Sequence, residues 1–259
     1  MKIKRPIYMQ RLIDSKDNGL IKIVTGLRRV GKSYLLKTLF KEHLLESSVP
    51  KSHILIIDLE DRRKKAFRDP DYLLNWVDSQ MKDDEQYYII IDEVQRVEEF
   101  VDMLGSLVEM PNADVYVTGS NSHFLSNDVA TEFRGRGDEI HVWPLTFNEF
   151  MSAYDGDIVD GWQEYYTYGG LPKILSIKGD DKKAAYLRNL GSRRYYLQSA
   201  YRLPDEEKMQ QEKRSLQQIG DSFKKIVVVG ERMKLRRDES GIVMMGIYEF
   251  LSEPELLDA

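Results

Sequence analysis

The amino-acid sequence predicts an α/β fold: a parallel β-sheet flanked by helices, then a short helical segment and a small second α/β part. Before Pro144, short apolar runs alternate with helical patterns, the order expected of successive strand–helix–strand units. These runs are apolar nearly throughout, as is typical of strands buried on both faces of a sheet. After Pro144 the pattern becomes helical, and strand-like runs return from Arg194 onward.

Five apolar runs are predicted as the strands of the sheet because they are short, rich in β-branched residues and bounded by polar segments. The first of them is interrupted by one charged residue, Lys22. The five predicted strands are residues 20–24, 53–58, 87–91, 115–118 and 140–142.

Helices are predicted where apolar residues recur at helical spacing. Asp69 followed by Pro70 marks a helix start, because Asp is a favourable N-cap and Pro fits the first helical position. The predicted helices carry apolar positions within residues 35–44, 73–81, 100–110, 147–154 and 162–168. Residues 178–181 (KGDD) are predicted to form a polar turn.

The remainder of the chain is predicted to form a small α/β part with its own sheet. Its strands are expected at residues 194–198, 225–229 and 242–245, and a charged helix is expected at residues 204–219. We therefore expect two domains, residues 1–176 and residues 177–259.

The composition excludes several classes of protein. The net charge of −5 argues against a globally basic nucleic-acid binder, although a local basic patch remains compatible with it. The absence of cysteine excludes disulfides, thiol catalysis and cysteine-bound zinc. No apolar run approaches the ~18 residues needed to cross a bilayer, so we expect a cytoplasmic protein without a membrane partner.

Residues 26–33 (GLRRVGKS) match the phosphate-binding pattern G-x-x-x-x-G-K-[ST] in full, between a predicted strand and a predicted helix. The loop's N–H groups would surround the phosphates, Lys32 would neutralise the β- and γ-phosphates, and Ser33 would hold Mg²⁺. Lys32 is therefore expected to act in catalysis as well as in binding. The predicted nucleotide-binding residues are Gly26, Leu27, Arg28, Arg29, Val30, Gly31, Lys32, Ser33 and Tyr34.

Two acidic residues, Asp92 and Glu93, follow the third predicted strand directly. After a phosphate-binding loop, such a pair typically holds magnesium through the first acid and activates water through the second. We predict these roles for Asp92 and Glu93, the second as general base. The alternative is that both acids cap the next helix.

Three further residues are candidate catalytic groups. Ser120 and Asn121 follow the fourth predicted strand, where a polar side chain would contact the γ-phosphate or orient water; the alternative is a hydrogen-bonded turn. Arg136 lies with Arg134 in a glycine-rich loop and would stabilise transition-state charge, either in cis or across an interface with a second copy. The alternative is a pair of solvent-facing arginines.

Two dense basic segments would suit a nucleic-acid backbone, although solvated loops are the alternative for both. The first is residues 62–68 (RRKKAFR). The second consists of Arg232, Lys234, Arg236 and Arg237.

Taken together, the motifs resemble AAA-14 type ATPases that are joined to a C-terminal DUF4143 domain. The similarity covers residues 1 to about 190 and rests on the order and spacing of several segments. The segments are residues 17–33 (DNGLIKIVTGLRRVGKS), 89–95 (IIIDEVQ), 118–126 (TGSNSHFLS), 134–150 (RGRGDEIHVWPLTFNEF) and 168–172 (YGGLP). The resemblance implies a RecA/AAA+-like P-loop NTPase fold that binds ATP and Mg²⁺.

The C-terminal part also resembles that family, through residues 193–200 (RRYYLQSA) and 221–229 (DSFKKIVVV). These resemble the end of a restriction-endonuclease-like domain, in which an acid-x-lysine pair would be expected. Residues 198–200 (QSA) carry neither group, which puts nuclease activity in doubt. The middle of the usual chain is missing from the similarity, and we expect the break near residues 189–192.

The sequence thus predicts an ATP-hydrolysing AAA+-type switch or motor whose target it does not name. The alternative is a nucleotide-gated nucleic-acid-binding module with an inactive nuclease-like C-terminal domain. Nucleotide is the expected partner in both cases, and a homo-oligomer or nucleic acid is compatible with both.

Overall fold

The computed structural model describes residues 2–119, 136–190, 195–202, 205–218 and 224–252. The chain forms two compact units, Met1–Leu187 and Arg188–Ala259, which are taken here one at a time. No helix in these described ranges is long and apolar enough to cross a membrane.

The first unit is built on a five-stranded, fully parallel sheet, as the sequence predicts. Its strands are β1 (Ile21–Thr25), β2 (Ile54–Asp58), β3 (Tyr87–Asp92), β4 (Ala113–Thr118) and β5 (Gly137–His141), in the spatial order β2-β3-β4-β1-β5. The strand β5 begins three residues before the predicted start at Ile140, because its first half (GDE) is polar. An edge strand tolerates polar residues there, and Asp138 accepts a hydrogen bond from Ser15.

Helices cover both faces of this sheet, which explains why its strands are apolar on both sides. Along β3, Ile89 and Ile91 pack into one buried cluster, whereas Tyr88 and Ile90 pack into another on the opposite face. The charged interruption in β1, Lys22, is fully buried and forms an ion pair with Asp114.

The helices of the first unit follow the predicted pattern, with one addition before β1 and another at the end of the unit. The first addition, α1 (Pro6–Asp14), starts at a proline and buries Tyr8 and Leu12 one turn apart. The helix α2 begins with Lys32–Tyr34, has π-helical bonding at Leu35–Phe40 and ends with Lys41–Glu46. The remaining α-helices are α3 (Pro70–Gln80), α4 (Phe100–Val108), α5 (Phe147–Met151), α6 (Ile158–Tyr168) and α7 (Asp180–Arg188).

The helix α7 begins within the predicted polar turn and belongs to the first unit up to Leu187. Its residues Tyr186 and Leu187 pack against the cluster around Phe150, and Lys183 forms an ion pair with Glu164 at 2.6 Å. The compact unit therefore extends beyond residue 176, where the composition of the chain changes.

The second unit is a smaller α/β region with a four-stranded sheet. Its strands β6 (Tyr195–Ala200), β7 (Lys224–Val229), β8 (Arg236–Arg237) and β9 (Val243–Gly246) lie in the order β6-β7-β9-β8, and only β8 is antiparallel to its neighbour. The helices are α8 (Glu206–Gln217) and α9 (Ile247–Ser252). Alternate residues of β7 face two buried clusters, one on each side of the sheet.

Candidate functional site

The predicted phosphate-binding loop joins the carboxyl end of β1 to the first turn of α2. Gly26 has φ +130°, and an added Cβ would lie 2.2 Å from the carbonyl oxygen of Val142. Gly31 has φ +103° and directly precedes Lys32, the first residue of α2. Both positions therefore require glycine, and the loop ends at the amino end of a helix.

The side chain of Lys32 is folded into this loop. Its Nζ donates hydrogen bonds to the carbonyl oxygens of Gly26 at 2.8 Å and Leu27 at 3.0 Å, and it is 5% exposed. Burial lowers the pKa of the Lys32 ammonium, and the carboxylates of Glu93 and Asp92 oppose that shift. The loop's own carbonyl oxygens therefore hold the ammonium inside the loop.

Asp92 is the centre of a buried polar cluster at the carboxyl end of β3. Its Oδ1 accepts hydrogen bonds from Ser33 Oγ at 2.8 Å and from Thr118 Oγ1 at 2.5 Å. Its Oδ2 accepts from Lys37 Nζ at 2.6 Å, and the same ammonium donates to Asp58 Oδ2 at 2.7 Å. The structure thus brings the two predicted metal ligands together and adds three residues that the sequence analysis did not assign.

The ammonium of Lys37 bridges two neighbouring strand ends, since Asp58 and Asp92 are register partners on β2 and β3. Burial acts to lower the pKa of Lys37, but the hydrogen bonds that its ammonium donates to Asp58 and Asp92 outweigh it and raise that pKa. Burial likewise acts to raise the pKa of Asp58, and Lys37 outweighs it, so that pKa is lowered. The spacing signals this contact, because Lys37 lies one helical turn after Ser33.

Glu93 has a left-handed backbone conformation, with φ +61° and ψ +52°. Its N–H donates to Thr118 Oγ1 at 3.0 Å, and its Oε2 accepts from Gln95 Nε2 at 2.7 Å. Its side chain makes no capping hydrogen bond to the short 3-10 helix Val94–Arg96 that follows. This geometry does not favour the capping alternative and leaves Glu93 8% exposed beside Asp92.

The other predicted loop residues take different positions. Leu27, Arg28 and Arg29 are exposed, and the guanidinium of Arg29 lies 5.2 Å from the ring centre of Tyr186. Val30 is fully buried. Tyr34 lines a cavity of about 150 Å³ beside Gly31.

That cavity is mostly apolar and is formed by segments far apart in the sequence. Its lining residues are Ile3, Arg5, Val30, Gly31, Tyr34, Leu145 and Pro172. The buried Arg5 donates to the carbonyl oxygens of Val30 at 3.2 Å and Trp143 at 2.6 Å, and its Nε lies 3.1 Å from Glu149. Sequence patterns within any one of these segments contain no signal for this cavity.

Arg136 is not brought to the site. Its carbonyl oxygen accepts a hydrogen bond from Ile21 N at 2.9 Å, at the amino end of β1, whereas the phosphate-binding loop follows the carboxyl end at Thr25. Five residues of extended strand separate the two ends by ~16 Å. The geometry therefore gives no support to an action in cis. Ser120, Asn121 and Arg134 lie outside the described residues.

Comparisons with known proteins agree with this architecture. An uncharacterized protein of Haemophilus influenzae is 35% identical over 179 residues, which cover 67% of this chain and 44% of that protein. An uncharacterized protein of Methanocaldococcus jannaschii is 26% identical over 182 residues, which cover 65% of this chain and 39% of that protein. The chain thus spans less than half the length of these two curated relatives.

Among solved structures, the Aeropyrum pernix ORC1 protein in complex with DNA has a TM-score of 0.50 and 12% identity, covering 84% of this chain and 66% of that one. A DNA polymerase III gamma subunit-related protein of Thermotoga maritima has a TM-score of 0.44 and 16% identity, covering 72% of this chain and 58% of that one. At such identities the likeness concerns the fold, which is that of AAA+ P-loop NTPases.

The family model AAA_14, described as an AAA domain, matches residues 18–151, which include the phosphate-binding loop, the Asp92 cluster and the carboxyl ends of the first four strands. The chain therefore belongs to the AAA_14 family of AAA domains.

Proposed function

We propose that the first unit binds ATP with Mg²⁺ and hydrolyses the ATP. The observation that carries this proposal is the convergence of Ser33, Lys37 and Thr118 on Asp92, with Glu93 as the next residue. Membership of a family of AAA domains supports the assignment of this chain to the P-loop ATPases.

The residues present suit the phosphates and the metal ion. The loop has a glycine with positive φ at each end, Gly26 and Gly31, and Lys32 supplies a cation directly after it. Ser33 and Asp92 offer oxygen atoms, the ligands that Mg²⁺ prefers. When bound by these two side chains, Mg²⁺ would neutralise charge on the β- and γ-phosphates.

The cavity next to Gly31 suits the base and makes a purine nucleotide the expected ligand. It adjoins the loop directly, and its walls include the ring of Tyr34 and the apolar side chains of Ile3 and Leu145. The guanidinium of Arg5 is held by two carbonyl oxygens and Glu149, so it stabilises the cavity wall.

Glu93 is the residue that we assign as general base. Hydrolysis forms a bond between the water oxygen and the γ-phosphorus and breaks the bond from that phosphorus to the β–γ bridging oxygen. Both oxygens of Asp92 already accept hydrogen bonds, so Asp92 is positioned to hold a cation while Glu93 accepts the proton from water. Ser120, Asn121 and an arginine acting from a second copy, such as Arg136, remain predicted contributors.

Two substitutions test the assignment. Lys32→Ala should abolish tight ATP–Mg²⁺ binding in calorimetry, because it removes the main cation of the loop. Glu93→Gln should keep nucleotide affinity and stop phosphate release, because the amide has nearly the same shape but cannot accept a proton. Glu98→Gln is a matched control, since Glu98 is exposed on the following loop. Equal turnover by the Glu93 and Glu98 variants would refute the general-base role.

For the second unit, we propose a DUF4143-like fold without nuclease chemistry. Gln198 occupies the strand position where an acid-x-lysine pair would begin, and its Nε2 donates to Glu212 Oε2 at 2.8 Å. Glu212 also forms an ion pair with Lys208 at 2.9 Å. These contacts support a structural role for the polar groups at this position.

A further inference from the structure

A row of cations lies along the outer edge of the second unit's sheet. The edge strand is β8, which pairs only with β9 among the described strands. Before it, Gly246 N donates to the carbonyl oxygen of Met233 at 2.9 Å, so this segment also runs beside β9. We call the four exposed cations of this segment the basic edge: Arg232, Lys234, Arg236 and Arg237.

Exposed cations are interleaved with apolar residues in this segment. Met233 packs against one apolar cluster of the unit, and Leu235 packs against the cluster on the other side of the sheet. Arg232, Lys234 and Arg236 stand between and beside these apolar residues and are exposed. Residues 232–236 therefore hold three exposed cations along the edge of the sheet.

Three of these four cations have no ion-pair partner within the described part of the chain. Arg232, Lys234 and Arg236 form no ion pair there. The two acids that flank the segment are engaged elsewhere: Glu231 pairs with Arg202 at 2.7 Å, and Asp238 pairs with the buried Lys213 at 2.9 Å.

The first basic segment, residues 62–68, is different. Arg63 forms an ion pair with Asp61 at 2.7 Å. Lys64 and Arg68 each donate to a backbone carbonyl oxygen, at 3.2 Å in both cases. Three of its cations thus serve local structure, whereas Arg232, Lys234 and Arg236 of the basic edge form no ion pair with any residue that the structure describes.

An aromatic ring accompanies the basic edge. Tyr248 is 56% exposed, and the guanidinium of Arg232 lies 5.4 Å from its ring centre. Exposed aromatic rings beside cations are the pairing that holds single-stranded nucleic acids, in which bases stack and phosphates are neutralised.

From these observations we propose that the basic edge and Tyr248 bind the backbone and one base of a single-stranded nucleic acid. This proposal is independent of ATP hydrolysis. It is tested without nucleotide, so its failure and the failure of the ATPase assignment are distinguishable.

The test is fluorescence anisotropy of a labelled single-stranded oligonucleotide with the full chain, titrated between 50 mM and 200 mM salt. The triple variant Arg232→Ser, Lys234→Ser, Arg236→Ser should bind about 100-fold more weakly near 0.1 M salt. Its slope of log K against log salt should be shallower by about 2, because three phosphate contacts are lost. Tyr248→Ala should weaken binding by about 5- to 100-fold with the slope unchanged, because stacking does not depend on salt.

The double variant Arg62→Ser, Lys65→Ser is the matched control, because it removes exposed cations from the other basic segment. It should bind as the unchanged chain does, and all variants should retain ATP affinity if they are folded. The proposal is overturned if the unchanged chain does not bind at 50 mM salt, or if the triple variant keeps the same affinity and slope. Equal or tighter binding of a duplex, or displacement by polyglutamate at matched charge, would assign the surface to another partner.

Discussion

Thr118 offers the sharpest test of how the site is assembled, because one hydroxyl links two backbone segments. Its Oγ1 donates to Asp92 Oδ1 at 2.5 Å and accepts from Glu93 N at 3.0 Å, and the side chain is fully buried. Thr118→Val keeps the shape of the side chain and removes both hydrogen bonds. The variant therefore separates hydrogen bonding from packing.

The expected magnitude follows from what remains after the hydroxyl is removed. The buried N–H of Glu93 loses the acceptor seen here, and an unsatisfied buried donor costs about 1–3 kcal/mol. Asp92 keeps Ser33 and Lys37, so its loss is one hydrogen bond to a charged acceptor, about 1.5–3 kcal/mol when fully counted. Because these two terms overlap, we expect a total loss of about 2–4 kcal/mol in the free energy of unfolding.

Thr118→Ser is the control, because it keeps the hydroxyl and loses one buried methyl group, a cost of about 1 kcal/mol. Unfolding in urea is monitored by the loss of nucleotide binding, so that the measurement reports on the first unit alone. The valine variant should also hydrolyse ATP more slowly than the serine variant, since Glu93 and Asp92 are no longer fixed together. If valine is as stable as serine and equally active, the hydroxyl bridge has no role.

Four further predictions concern neighbouring groups. Lys37→Met should destabilise the first unit at neutral pH, because it leaves Asp58 and Asp92 facing each other without a cation. The pKa of Asp58 is lowered and that of Lys37 is raised. The ion pairs of Lys37 should therefore stabilise the folded unit fully at pH values between the unfolded-state pKa values, 3.8 for Asp58 and 10.5 for Lys37. This stabilisation should be lost as the pH falls through the folded-state pKa of Asp58 or rises through that of Lys37. Urea midpoints across pH should show this plateau in the unchanged chain and not in the variant. Gln95→Ala should lower kcat with nucleotide affinity unchanged, because Gln95 orients the Glu93 carboxylate; an unchanged kcat in steady-state assays contradicts that role. Arg136→Ala should leave the affinity for ATP at a single site unchanged. If the arginine acts across an interface, mixing the Arg136→Ala variant with the Glu93→Gln variant should restore some ATPase activity. A normal rate of hydrolysis by the Arg136→Ala variant alone would show that Arg136 is a surface residue without a catalytic role. The full chain should not cleave DNA in the presence of Mg²⁺. Nicking of DNA by the unchanged chain that is lost in the Gln198→Ala variant would contradict the proposal that the second unit lacks nuclease activity.

The fold was largely predictable because its signals are local. Each strand of the first sheet is a short apolar run, and the loop at residues 26–33 has glycine at two positions whose φ angles are positive. Asp92 and Ser33 were predicted to lie close together because both were assigned to the same magnesium ion, and the two side chains are hydrogen-bonded in the structure.

The remaining parts of the site depend on contacts between distant segments. Arg5 meets Val30 and Trp143 only after α1 packs on the sheet, and its neighbours in the sequence contain no motif. Arg136 shows the opposite difficulty, because the composition of its loop suggested a catalytic residue. The strand that follows Arg136 runs parallel to β1, so Arg136 lies at the amino end of β1, opposite to the phosphate-binding loop.

The cavity beside Gly31 has a consequence for how the first unit opens. It is lined by Ile3 near the amino terminus and by Pro172 near the end of the unit, with the phosphate-binding loop between them. A nucleotide seated there would add contacts to segments that already share the buried cluster of Ile3, Leu145 and Ile174. Bound nucleotide should then slow fraying of the N-terminal segment, so the rate at which an endoprotease cuts near Lys4 would report nucleotide occupancy.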